Sequence, residues 1–583
     1  MAEFDTDVFV VGMGPTGLTA ALALATYGID VQVITRYDGL SNSPRAHITN
    51  QRAMEVFRDL GIEGDVLEEG SGWSLMGDTL FTTSLAGREI ARLRTWGTGD
   101  DEHGRYVVAS PCGMLDIPQP KLEAVLLRNA AKRGADTRFN TDYLSHEQDA
   151  GGVTVRVRNR VTGVESDVRA RYLVGADGAR SQIADEIGLP FRGEMGRATT
   201  AYVRFRADLS AYVAHRPSIL YWIVSPTSGF GEIGMGLLRT VHPWDEWITG
   251  WGVDPSQGEP DFSTASLVAR IRTLVGDPDL EPEIIDTSTW QVNDAFAEIY
   301  HAGRVFVGGD AVHRHPPSGG LGSNTSVQDA FNLAWKLAFV IQGWAGSGLL
   351  ESYSAERVPV GEQVVSRANR SRLEFAALKD VLGVGSGSDV AAVLKTLDDS
   401  GPEGAATRDA LTPALHLKNY EFNAHGVEMN QRYESNAAFV TDDGHAKWTE
   451  DPELVAQPST GAGAKLPHAW LVGADGTRLS TLDVVGRGGL SLLTGLSGVA
   501  WSDAVGRLGV PYLRATVVGE AQHADLYRSW HGLRDIHEAG ALLVRPDGYI
   551  AWRHRESVWD TDEAERLLRD VLGRVLSHEV GAP

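Results

Sequence analysis

The feature that most constrains this chain is Gly12-Met13-Gly14-Pro15-Thr16-Gly17, a GxGxxG loop close to the N-terminus. It stands between Asp7–Gly12, which reads as a short buried strand, and Leu18–Tyr27, an Ala/Leu-rich helix. Gly28 and Asp30 make the next turn, and Val31–Ile34 reads as a second strand. The glycines of such a βαβ unit permit a tight turn and close backbone approach. The helix N-terminus then offers unpaired N–H groups to a pyrophosphate. About 20 residues further on, this fold normally places an acid on the adenosine ribose. Here that place holds Thr35, a weaker neutral partner, followed by Arg36. Arg36 reads equally well as a contact to the adenosine phosphate or as surface charge.

At 583 residues the chain is too long for one ordinary core, so two or three domains are expected. Its formal charge of −24 opposes nucleic acid and an anionic membrane surface. The single cysteine, Cys112, allows no internal disulfide, no CxxC and no Cys-rich metal site, and no metal is expected. The N-terminus is acidic where a secretory signal is basic, and no segment has the apolar length of a membrane span. A cytoplasmic enzyme is the expectation.

A second block repeats the strand–glycine loop–helix logic. Val305–Gly308 reads as a strand, Gly308-Gly309-Asp310-Ala311 follows it, and a glycine-rich loop runs through Pro317 and Gly320 to Asn324. The helix expected over Thr325–Gln342 has Val327, Ala330, Phe331, Ala334, Leu337 and Ile341 on one face. An acid at a strand end, Asp310, suits a polyol such as a ribityl chain. A helix N-terminus suits a flavin N1–C2=O edge, which becomes negative on reduction. A plain nicotinamide dehydrogenase has no need of this second loop.

Between the blocks, Leu122–Gly134 reads as a helix, with strands at Val153–Val157 and Ser166–Val174. Segments 200–240 and 285–300 suit a sheet covering a pocket. Residues 373–455 are more polar, with a helix at Ser388–Leu397, and Gln457–Lys465 (QPSTGAGAK) reads as a linker. Beyond it come strands Ala515–Val518 and Ala541–Val544 and the turn Arg545-Pro546-Asp547-Gly548.

Three ordered motifs, GxGxxG, VGADGARS (Val174–Ser181) and RVFVGGDAVHRHPPSGG (Arg304–Gly320), resemble the fingerprints of class A flavoprotein aromatic hydroxylases. Ser43–Gly61, the GLGSNTSVQDAFNLAWKLA helix and HGVEMNQRY (His425–Tyr433) resemble the branch of 2,4-dichlorophenol 6-monooxygenase, phenol hydroxylases and their biosynthetic relatives. The resemblance implies an α/β fold: an FAD-binding Rossmann-like domain with a mixed-sheet substrate domain, plus a C-terminal thioredoxin-like domain. Its boundaries fall at 1–372 (substrate part mainly 75–115 and 190–300), a helical connection at 373–455, and 456–583, where the missing CxxC leaves a structural role. It implies FAD, NAD(P)H as a transient co-substrate, and O2, with a phenolic or hydroxypyridine-type ring hydroxylated through a flavin C4a-hydroperoxide.

The resemblance also distributes roles. Gly12, Gly14, Pro15, Thr16 and Gly17, with Thr35 and Arg36, would hold the dinucleotide. Arg45, Gln119, Asp177 and Asp310 match cofactor contacts, and Pro317, Gly320, Leu321, Gly322, Ser323 and Asn324 match the flavin-edge loop. Asp177 reads alternatively as a turn cap with Gly178. His47 stands where phenol hydroxylases carry an aspartate facing the substrate. A neutral imidazole, with an ordinary pKa of about 6.5, can accept a phenol proton, although a histidine that only packs is the equal alternative. Tyr221 reads as orienting the phenol, or as a core aromatic on a strand; the next-strand tyrosine of phenol hydroxylases is replaced near Met235. Small aromatic substrate and homo-oligomeric assembly are the expected partners. Two rivals remain: a flavin halogenase, for which Pro243–Trp247 does not match WxWxIP, and a non-catalytic flavin-binding sensor.

Overall fold

The computed structural model describes residues 4–224, 233–253, 258–384, 390–440 and 446–578. Ser388 and Asp389 of the expected helix lie outside these residues, and its remainder is helical over Val390–Asp398. No helix among the described residues is long and apolar enough to cross a membrane.

Short runs of β-branched residues build the first sheet. Thr6–Val11 lies between Glu165–Gly175 and Val31–Ile34, all parallel, with Val305–Val307 and Asp136–Arg138 outside them. Val31–Ile34 is buried on both faces, as a central parallel strand must be. Register decides function here. Val11 pairs with both Ile34 and Gly175, and Gly175 pairs with Val307. The strand ends leading into Gly12, Thr35, Ala176 and Gly308 therefore share one edge of the sheet. Helices Pro15–Thr26 and Leu321–Ile341 pack against each other over it.

Among the described residues the second sheet has eight strands. Its centre runs Glu283–Ala297, Phe191–Arg206, Glu246–Val253, Gly236–His242, Leu220–Ile223 and Asp78–Thr82. His313–Arg314, emerging from the Gly308–Ala311 loop, pairs with Glu283–Ala297 and joins the two sheets. One face, with Val203, Tyr221, Leu238 and Trp247, packs on helix Thr264–Val275. On the other, Phe81, Trp222 and Met235 pack on Phe375 and Leu378. Met235 is thus a fully buried core residue. Trp247 is a core residue too, its indole donating to Ala207 O and Trp244 O, so Pro243–Trp247 serves packing.

The C-terminal sheet runs Leu513–Val518, Leu490–Gly495, Ala541–Val544 and Ile550–His554, its first pair parallel and the rest antiparallel. With helices Val499–Leu508 and Thr561–Val575 it has thioredoxin-like topology. Two expectations change here. The second half of Gln457–Lys465 is buried rather than a free linker: Gly463 N donates to Ile550 O, and Lys465 Nζ pairs with Glu55 at 2.9 Å. The Arg545–Gly548 turn is an anchor. Arg545 and Asp547 are buried, and Arg545 binds both oxygens of Glu356 at 2.6 and 2.8 Å. Lys336, Asn332 and Ser435 also reach Glu356, at 2.7, 2.7 and 2.6 Å.

HGVEMNQRY ties the layers together. His425 stacks on Tyr106 with ring centroids 3.7 Å apart and bonds Gln51 Oε1 at 2.8 Å. Gln431 accepts from Arg357 and from Tyr549 OH of the C-terminal sheet, and Tyr433 stacks on Tyr549.

Candidate active site

At the shared edge, the three glycines have different duties. A Cβ on Gly12 (φ +115°) would lie 2.1 Å from Ala176 O, and one on Gly17 would lie 1.9 Å from Gly12 O. Both are required for the loop to close on the neighbouring strand end. A Cβ on Gly14 would meet nothing within 4 Å. That open space lies at the start of helix Pro15–Thr26, which has no side-chain cap and no acid in its first turn. Its free N–H groups and positive end suit a diphosphate. Thr16 lies directly under the second motif, because a Cβ on Gly309 would strike its hydroxyl.

Thr35 is buried, its hydroxyl accepting Tyr37 N at 3.4 Å, while Arg36 is exposed and its carbonyl accepts from Arg160. Asp310 is exposed at the mouth of the groove. Asp177 Oδ2 accepts Ile183 N at 3.3 Å in the first turn of the short Gln182–Glu186 helix, whose N-cap is Ser181, whereas Oδ1 is buried without a partner. Burial raises its pKa above the ordinary aspartate value. The Gly308–Ala311 loop is shaped by Asp329, a residue the sequence did not single out. Its carboxylate accepts Gly309 N at 3.0 Å and binds His313 at 2.8 Å and Arg357 at 2.7 Å. Burial alone would raise Asp329, but Arg357 and His313 outweigh it and hold it below the usual range.

The segment expected at the flavin edge differs from a loop. Leu321–Asn324 form the first turn of helix Leu321–Ile341, after left-handed Gly319 and Gly320. Leu321 packs inward with Val360 and Val427. Asn324 is buried: Oδ1 accepts Asn50 N at 2.9 Å, and Nδ2 donates to Ile48 O and Gly320 O. These two side chains fix the turn, and the helix start has no side-chain cap. A Cβ on Gly320 would lie 2.9 Å from Ile48 Cβ. Half-buried Gly322 and Ser323 and exposed Pro317 complete the rim. Opposite, Gln119 donates to Glu123 at 2.7 Å and its backbone N–H to Ala46 O at 2.8 Å, steadying the loop that holds exposed Arg45. Burial raises Glu123, which also accepts Ser41 N at 2.9 Å.

His47 follows on that loop. Its Nδ1 lies 2.5 Å from Asp116 Oδ1, and its side chain is 16% exposed. The two meet through a two-residue ladder, Ile48 with Asp116 and Thr49 with Leu115. Asp116 fixes Nδ1 as the protonated nitrogen and leaves Nε2 as a base. Burial, then Arg239, lower the His47 pKa, with Asp116 opposing, so the ring is neutral near pH 7. Arg239, on Gly236–His242, donates to Arg45 O at 2.9 Å and to Pro44 O. Burial pushes its pKa down to about 10, with Asp116 and Tyr202 opposing. Tyr202 is pushed up to about 12 by burial. Tyr221, by contrast, faces away. It is fully buried on the helix side of the sheet, its hydroxyl donating to Arg216 O at 3.2 Å. Strand alternation explains this: its neighbours Leu220 and Trp222 take the other face.

The groove therefore offers an uncapped helix end beside open space, an available acid and a second helix end, which fit FAD. Residues 5–368 match the family described as FAD binding domain, and 459–575 match aromatic-ring hydroxylase, C-terminal. The chain is 45% identical to a 2,4-dichlorophenol 6-monooxygenase of Delftia acidovorans, covering 98% of each chain. It is 46% identical to a phenol 2-monooxygenase of Pseudomonas sp. (strain EST1001), over 97% of this chain and 92% of that one. The flavin-dependent monooxygenase PieE, solved with FAD and substrate, superposes with a TM-score of 0.93 at 40% identity, covering 98% of this chain and 99% of PieE. With both halves matched and full-length relatives at this identity, the chain belongs to the FAD-dependent aromatic-ring hydroxylase family of monooxygenases.

Proposed function

We propose that this enzyme hydroxylates a phenolic or hydroxypyridine-type ring, with His47 accepting the ring hydroxyl proton. The observation that carries it is the His47–Asp116 pair, 2.5 Å apart on the loop between the cofactor groove and the second sheet. When bound and reduced by NAD(P)H, FAD supplies the activated oxygen from O2. The chain's residues do the rest. Gly12, Gly14 and Thr16 would seat the diphosphate, and Asp310 would take the ribityl chain. The Gly320–Ser323 amides would hold the flavin edge, with Arg45 and Gln119 beside it. Asp116 holds the imidazole with Nε2 available. A proton taken there makes the ring more electron-rich at the moment oxygen is transferred. The apolar cluster of Ile48, Met76, Trp96, Met114 and Phe422 beside this loop excludes water.

Relatives named for dichlorophenol and phenol support this substrate class. Substituted phenols and hydroxypyridines should stimulate NAD(P)H consumption and yield products heavier by one oxygen atom. If none of them gains oxygen, the reading fails. A cytoplasmic location and self-association complete the proposal. Exposed Leu496, Val499, Leu526, Tyr527 and Trp559 of the C-terminal region support association, which sedimentation tests.

A further inference from the structure

Eight arginines are buried among the described residues, and seven of them pair with a carboxylate: Arg52, Arg216, Arg357, Arg367, Arg534, Arg545 and Arg553. Arg239 does not. Its two terminal nitrogens are held by the carbonyls of Pro44 and Arg45, and its Nε–H is buried without any partner. A buried cation lacking a counter-charge costs several kcal/mol or more unless something anionic joins it. Desolvation does not remove the charge here, since the guanidinium stays protonated far above neutral pH. The groups that face it are neutral His47 and the Asp116 carboxylate from the paired ladder, the Tyr202 hydroxyl from Phe191–Arg206, and the exposed Arg45 on the loop it clamps. The one carboxylate among them, Asp116, favours the Arg239 charge only from beyond ion-pair distance and is itself bonded to His47.

We propose that Arg239 is the resident counter-charge for a phenolate oxygen, so that the site selects aromatic substrates whose hydroxyl ionises readily. The inference rests on the hydroxylase reading above and names the ionisation state of its substrate. The charges balance through the step. The phenol O–H bond breaks and its proton forms an N–H bond at His47 Nε2, while the electron pair stays on oxygen. The imidazolium so formed is matched by Asp116, and the phenolate by Arg239. Before and after the transfer, the four groups carry the same net charge. Electron-withdrawing ring substituents lower the cost of that transfer further, and relatives named for dichlorophenol and 4-methyl-5-nitrocatechol act on rings of that kind.

The test uses the FAD-loaded protein without NAD(P)H, so that no turnover occurs, and 4-nitrophenol, whose ionised form has its own visible absorption. Difference spectra across pH should show bound 4-nitrophenol ionising at a pH about 1 to 3 lower than in water. In Arg239→Met that displacement should vanish, and affinity at neutral pH should fall roughly 10- to 100-fold. Arg239→Lys should keep part of the displacement, and retained flavin absorbance checks that the Pro44–His47 loop still holds. The unaltered protein gives an independent arm: its affinity for 4-nitrophenol, 2,4-dichlorophenol and unsubstituted phenol should track how readily each ionises. If 4-nitrophenol binds in neutral form yet gains oxygen once NAD(P)H is added, or if Arg239→Met leaves the displacement unchanged, this inference is overturned and the hydroxylase reading stands. If no phenol binds in either form, both fall.

Discussion

Glu356→Gln should destabilise the protein in a way that depends on pH. Glu356 lies fully buried between the flavin-edge helix and the Arg545–Gly548 turn, accepting from Arg545 twice and from Lys336, Asn332 and Ser435 once each. After substitution Arg545 still has Asp547, which binds its Nε at 3.0 Å and its Nη2 at 2.5 Å. Lys336 is left with no carboxylate partner. Breaking a buried ion pair from one side costs about 3–5 kcal/mol. Because Arg545 keeps a partner, the loss at pH 7 should sit near the lower end, about 3 kcal/mol. Lys336 then sets the pH dependence. Burial already pushes its pKa down to about 8, Arg545 adds to the fall, and Glu356 opposes it. Without Glu356 the folded-state value drops further, while the unfolded lysine stays near 10.4. Between those values the unfolded chain binds more protons than the native one, so stability rises with pH. That window opens near pH 8 in the wild type and lower in the variant, so the stability gap at pH 7 should narrow toward pH 9. Urea unfolding at pH 7 and 9, followed by tryptophan and flavin fluorescence, measures it. A pH-independent difference below about 1 kcal/mol would refute the reasoning, since it would mean the network contributes no more than an exposed pair.

The other predictions concern the groove and its loop. Asp116→Asn should cut hydroxylation about 10- to 100-fold, from loss of one charge-assisted hydrogen bond. It should also move the acid limb of the pH–rate profile to lower pH, because Asp116 raises the His47 pKa; an unmoved limb contradicts the base assignment. Gly14→Ala should weaken FAD retention while leaving apoprotein unfolding unchanged, whereas Gly17→Ala should disrupt folding through its clash with Gly12 O. Equal effects of the two substitutions would sink that distinction. Tyr221→Phe should lower stability by about 0.5–1.5 kcal/mol, the worth of one hydrogen bond, with kcat unchanged. A large kcat loss at constant stability would return Tyr221 to the site.

The cofactor groove was legible because its chemistry is local. Glycines and a helix end are specified by consecutive residues, so the tight loops at Gly12–Gly17 and Gly308–Asp310 could be read directly. What stayed hidden depends on pairing across the chain. Asp116 is 69 residues from His47 and meets it only through a two-residue ladder. Arg239 and Asp329 look like ordinary strand and helix charges until burial isolates them. Tyr221 stayed open between substrate and core for a different reason: motif reading locates a strand, whereas the face a residue takes follows from sheet register. Composition misled at Gln457–Lys465, where small residues fit a crowded seam as well as they fit an open linker.

The Arg545–Asp547 turn also bears on how the enzyme is made. Lys336 and Glu356, on helices Leu321–Ile341 and Ser352–Leu373, pair with each other, and the Glu356 carboxylate is closed off by Arg545, 189 positions later. A nascent chain that has emerged only as far as residue 500 holds Glu356 with Lys336 but without Arg545. It should wait for the ribosome to finish, or for a chaperone, before it can grip its cofactor firmly. A fold that elsewhere in nature exchanges disulfides acts here, without a CxxC, as the last wedge driven into a hydroxylase.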